Sequence, residues 1–155
     1  MRRIIFILSI LAYVLTISSC EDMYYMPFKE SDSGKGAASF YLDGEAFKTE
    51  RSAEIDTEKS DSTLTIRFYC VSDMHTNRSH SITLNVYADE GGCLSDKDRY
   101  TVGRDATISI GIYSAEEGHV TFRKLGHVIS GNFEFSFTDE ENDRHHIKYG
   151  NFDTK

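Results

Sequence analysis

The chain has 155 residues, 39% of them hydrophobic, with one Pro, no Trp, nine Tyr, ten Phe and a formal charge of −8. That length holds one small domain with enough interior for a real core, and its aromatic content suits packed strands. The acidic balance repels nucleic-acid phosphates and anionic lipid head groups, and no Lys/Arg cluster offsets it, which argues against nucleic acid as a partner.

Arg2 and Arg3 precede an apolar run from Ile4 to Ile17, broken only by Ser9 and Thr16. A run of roughly 14 residues matches the core of a signal peptide and falls short of the ~20 that span a bilayer as a helix. Ser18 and Ser19 then lead to Cys20. Ile17-Ser18-Ser19-Cys20 resembles a bacterial lipoprotein lipobox, with Ile17 where the pattern usually has Leu. The resemblance implies loss of residues 1–19 and a diacylglyceryl thioether on Cys20, which becomes the mature N-terminus, usually with a third acyl chain on its amine. Two or more chains hold a protein on a membrane stably, at about 0.8 kcal/mol per buried methylene. An ordinary cleaved leader with an incidental Cys, or an uncleaved anchor, is the plainer alternative. Loss of Arg2 and Arg3 with the leader takes the charge from −8 to −10.

Residues 20–36 read as a lipidated spacer, acidic at Glu21-Asp22 and ending in Ser31-Asp32-Ser33-Gly34-Lys35-Gly36. Such polar Gly/Ser sequence makes a flexible tether. Glu21-Asp22 directly after the Cys resembles the surface-export signals of Bacteroidetes lipoproteins.

From Ala37 the apolar period is two. Ala38, Phe40 and Leu42 share a face, and Asp43-Gly44 predicts a tight hairpin into Ala46 and Phe47. Ala53 and Ile55 suggest a short strand, and Leu64, Ile66, Phe68 and Cys70 a longer one; Ile82, Leu84 and Val86 repeat the stripe. Glu90-Gly91-Gly92 breaks the chain, and a polar loop runs to Asp98. Tyr100 to Val102, then Ile108, Ile110 and Ile112, then Val120 and Phe122 continue the pattern. Ile129, Phe133, Phe135 and Phe137 form another stripe, Asp139 to Asp143 an acidic turn, and Ile147 and Tyr149 open the last strand. No segment keeps a 3.6-residue period over three turns. About nine short strands at this spacing predict an all-β domain: an antiparallel β-sandwich or flattened barrel built mainly of sequential hairpins, with a lipocalin-like barrel as the alternative. The divisions are 1–19 signal peptide, 20–36 tether and 37–155 a single β-domain.

Phe40-Tyr41-Leu42-Asp43-Gly44, Val120-Thr121-Phe122-Arg123-Lys124-Leu125, Ile129-Ser130-Gly131-Asn132-Phe133-Glu134-Phe135 and Gly150-Asn151-Phe152-Asp153 are together similar to small Bacteroidetes lipoproteins of uncharacterised all-β domain families. The resemblance implies an exported β-domain and carries no reaction with it. Physically these motifs are packing signals: Gly131 interrupts an apolar face, as at a bulge or close strand crossing, and the phenylalanines fill a core.

Chemistry-bearing residues are sparse. Cys70 and Cys93 either form a disulfide in an oxidising compartment or remain two separate thiols. His75 and His80 with Asp73, and His145-His146 with Asp143, have residue types that bind Zn²⁺, but no HExxH or paired-Cys spacing supports them, and no metal or other cofactor is expected. Asp139 to Asp143 and Asp89-Glu90 lack the pattern of a Ca²⁺ loop and read as charged hairpin tips. Asp61-Ser62-Thr63 resembles the short O-glycosylation signal of exported Bacteroidetes proteins, with Ser62 as acceptor; a plain turn is the alternative. Without a nucleophile elbow, P-loop or dinucleotide fingerprint, no enzyme is expected. The expectation is a lipoprotein at the outer membrane, periplasmic or surface-exposed, anchored through Cys20. Its β-domain has a non-catalytic binding or structural role, toward a protein, a glycan or, as a lipocalin-like carrier, a small apolar ligand.

Overall fold

The computed structural model describes residues 34–49, 55–75, 77–88, 92–95 and 99–154. The leader, Cys20, the tether up to Ser33, Ala53, Asp89, Glu90, Gly91 and Asp98 lie outside the described residues.

The described residues form eleven strands: β1 (Ala37–Leu42), β2 (Glu45–Lys48), β3 (Ile55–Lys59), β4 (Thr63–Ser72), β5 (Ser79–Tyr87), β6 (Arg99–Thr101), β7 (Ala106–Ile110), β8 (Tyr113–Ser114), β9 (Glu117–Leu125), β10 (Ile129–Thr138) and β11 (Arg144–Asp153). They make one strongly curled antiparallel sheet in the order β6-β9-β10-β11-β1-β2-β4-β5-β7-β8, with β3 paired to β4 beside this path. The fold is all-β, in keeping with a sandwich or flattened barrel. Most neighbours are sequential hairpins, but β1 pairs with β11, so the two ends of the domain close on each other. The curl is tight enough that the chain itself spans it. Ala115 N–H still bonds the Ile108 carbonyl beside β7, while Glu116 N–H bonds the Ser136 carbonyl on β10.

Alternation sets the inside. On β4 Leu64, Ile66, Phe68 and Cys70 are buried while Thr63, Arg67 and Tyr69 face out. Their partners Val86, Leu84 and Ile82 on β5 are buried too. Each such side chain contributes roughly 1.5–3 kcal/mol by leaving water. The middle of the interior is filled by rings. Phe133 lies 5.4 Å from Phe68 and 6.3 Å from Phe152, and Phe122 lies 5.9 Å from Phe152.

Asp43 (φ 48°) and Gly44 (φ 94°) form the tight turn expected of Asp-Gly, both left-handed as a type I′ hairpin requires. Gly131 sits where the β9–β10 register slips, between Ser130↔Lys124 and Gly131↔Phe122. A Cβ there would lie 2.3 Å from the Thr121 carbonyl oxygen, so only Gly lets the strands approach.

Two residues depart from their stripes. Ile112 does not continue Ile108 and Ile110 inward: β7 ends at Ile110, Gly111-Ile112 form the hairpin tip, and Ile112 is 79% exposed. Tyr149 is left-handed (φ 54°) and 40% exposed, because β11 carries an extra residue opposite Phe133–Phe135. This is a bulge, and it turns the ring outward.

The strands define two poles. The chain comes in at Gly34, whose N–H bonds both carboxylate oxygens of Asp153 at 2.9 and 3.1 Å. Thr154 is tied to Ile129 beside it. This near pole also holds the β3–β4 and β9–β10 turns. The far pole gathers Asp43-Gly44, residues 73–75 and 77–78, Gly111-Ile112 and residues 139–143.

Candidate functional site

The far pole holds a cavity of about 570 Å³. Leu42, Ile110 and Phe137, all buried, make its floor, and Ile112 and Tyr113 continue it upward. Its rim is charged: Asp43, Glu45, Arg78, His80, Asp139 and His145. The floor exists because the inward stripes of β1, β7 and β10 end here, one layer above the filled core.

His145 is the best-held side chain of the rim. It lies across the strand pair from Phe137, so both face inward. Its ring stacks on Phe137 at 5.1 Å, and Tyr113 stacks on Phe137 at 5.5 Å. Nδ1 meets Asp43 Oδ2 at 2.5 Å and Nε2 meets Asp139 Oδ2 at 3.1 Å. Both carboxylates are themselves fixed by backbone. Asp43 Oδ1 accepts the His146 N–H at 2.9 Å, and Asp139 Oδ1 accepts the N–H groups of Glu141 and Asp143, each at 2.9 Å. The hydrogen bond to Asp43, then that to Asp139, raises the His145 pKa above its ordinary 6.5. The hydrogen bond from His145, helped by the Asp143 N–H, holds Asp139 below its ordinary 3.8.

The opposite rim is built on Glu45. It pairs with Arg78 and accepts a hydrogen bond from the buried Ser72 hydroxyl. The Ser72 oxygen in turn accepts the N–H groups of Met74 and His75, at 3.1 and 3.0 Å, which shapes the β4–β5 turn. His80 lies edge-on to Phe47 at 5.0 Å, and burial, then Arg78, lowers its pKa below 6.5.

The histidine groupings considered from the sequence are not assembled as such. Asp73 pairs with Lys48 at 2.7 Å, His75 is exposed, and His80 turns to the cavity. His145 and His146 point to opposite faces of β11, and the partners of His145 are Asp43 and Asp139 rather than Asp143. Asp139, Glu141 and Asp143 bring carboxylate oxygens within 4.8 Å of one another at the hairpin tip, where Glu141 and Asp143 are exposed.

Cys70 and Cys93 are not joined in a disulfide, so the bridge weighed above is not formed. Cys70 is buried toward the far end of β4, its thiol directed at the Ala38 carbonyl at 3.7 Å. Cys93 is exposed beside Tyr87 and Ala88, near the start of β4. Seven strand positions separate those ends, roughly 23 Å at 3.3 Å per residue, where a disulfide needs Cα atoms within about 7 Å. Ser62 is exposed in the β3–β4 turn, its carbonyl bonded to the Ala88 N–H at 2.8 Å.

The Asp43–His145–Asp139 bridge and the Glu45–Arg78 pair were not anticipated. One signal was available. In a chain of hairpins alternate turns fall at the same pole, which would have grouped Asp43, Arg78, Ile112 and Asp139. No protein family, curated protein or solved structure matches this chain.

Proposed function

We propose that this chain is an exported lipoprotein, anchored at the outer membrane through Cys20, whose β-domain is a non-catalytic binding module for a small ligand with an apolar body. The supporting observation is the far-pole cavity. Its volume of about 570 Å³ falls in the roughly 300–1,000 Å³ of small-molecule sites, and it joins an apolar floor to polar groups that could orient a ligand. A catalytic reading finds less support: the lining offers no Ser, Thr or Cys nucleophile, and both ring nitrogens of His145 are engaged.

The test uses acylated full-length protein in lipid nanodiscs, with empty discs as blank, and 1-naphthylmethanol as a neutral probe. Saturable binding by ligand-observed NMR is expected, weakened at least fivefold by Ile112→Asp. That substitution places a charge on an exposed turn of the lining, where it leaves the fold intact. No saturable binding, or equal binding by the variant, would overturn the assignment.

A further inference from the structure

Resting on the reading of the far-pole cavity as a ligand site, we propose that its ligand is cationic: an amine or other ammonium group carried on an apolar body of ring size. Three carboxylates, Asp43, Glu45 and Asp139, line the cavity against one guanidinium, Arg78, and the imidazoles of His80 and His145. The positive groups are already matched. Arg78 is held by Glu45, and His145 by Asp43 and Asp139 through both ring nitrogens. An anionic ligand would have to share Arg78 with Glu45 and lie among the three carboxylates.

The carboxylates, in contrast, keep acceptor capacity. A carboxylate has about four lone-pair sites. Asp43 spends one on the His146 N–H and one on His145. Glu45 spends one on Ser72 and one on Arg78. An ammonium group, with donors only, can add to these oxygens without breaking a bond. The surroundings point the same way. Glu141 and Asp143 stand beside Asp139, while Lys48 and Arg144 are drawn to Asp73 and Glu117. Burial and the neighbouring Arg78 favour the neutral form of His80. Below the charged rim, Leu42, Ile110 and Phe137 accept the apolar body, and the Tyr113 ring offers a face to a cation.

Three probes of one shape separate the possibilities: 1-naphthylmethylammonium, 1-naphthylmethanol and 1-naphthoate, titrated at pH 7 in low salt against the same nanodisc protein. The ammonium should bind roughly tenfold tighter than the alcohol, and the naphthoate weaker than both. Asp43→Asn keeps a residue that tolerates the left-handed turn and should cut the ammonium-to-alcohol ratio several-fold. Equal binding of ammonium and alcohol, tighter binding of naphthoate, or a ratio unmoved by Asp43→Asn overturns the cation assignment and leaves the cavity reading in place. Failure of all three probes overturns the cavity reading itself.

Discussion

His145 shows how little of a site need lie in one stretch of sequence. Its partners come from the β1–β2 turn and the β10–β11 tip, and each is fixed by backbone N–H groups before it meets the ring. The bridge therefore ties two hairpin ends together, and its strength depends on charge. The raised pKa of His145 means the folded state binds the proton more tightly than the unfolded chain. Its stabilisation is fully present below pH 6.5 and is lost as pH rises through the folded value. Asp139 has the opposite sense: its contribution is present above pH 3.8 and is lost as pH falls through its lowered value. Both operate between these limits. Thermal unfolding of parent and His145→Gln should accordingly differ most near about pH 5, and the difference should narrow as pH rises through the raised value of His145. A difference that stays constant from pH 5 to 9 would show that the ring matters only through its packing on Phe137.

Among the elements, β10 carries the greatest constraint. Phe133, Phe135 and Phe137 are buried on one side of it, and Gly131 takes the close crossing with β9. A methyl at Gly131 meets the Thr121 carbonyl and the Phe152 ring, neither of which can swing away. Gly131→Ala is expected to destabilise the domain by about 2 kcal/mol or more, read as a lowered urea midpoint with unchanged slope; an unaltered midpoint would mean that the crossing relaxes. This element was legible in advance, because a period-two stripe broken by one Gly has few other meanings. The stripes of β4 and β5 were equally plain. Ile112 and Tyr149 were not, since an apolar residue two places past a buried one looks the same whether the strand continues, turns or bulges. The pairing of β1 with β11 and the meeting of Asp43, His145 and Asp139 depend on how far the sheet curls. No local pattern encodes that curl, so most of the fold could be read from the chain and almost none of the site.

At the scale of the molecule, the strand directions decide which way the cavity looks. The described chain comes in and finishes at one pole, through Gly34, Asp153 and Thr154, while the cavity opens at the other. With the anchor proposed at Cys20, residues 21–33 add a reach of at most roughly 45 Å to that geometry. On that proposal the membrane would lie on the side of the near pole, with the mouth turned toward the aqueous compartment. Dye placed by Ile112→Cys or His127→Cys, on a Cys93→Ser background in proteoliposomes, should report this with a quencher carried on lipid head groups. The His127 site should be dimmed more than the Ile112 site, and neither in Cys20→Ala protein; stronger quenching at Ile112 would reverse the orientation. So oriented, the cup would sample dissolved solutes and not lipids sliding in the membrane plane. What reaches it must arrive by three-dimensional diffusion, so occupancy would follow the solute concentration of that compartment and ignore the composition of the leaflet beneath.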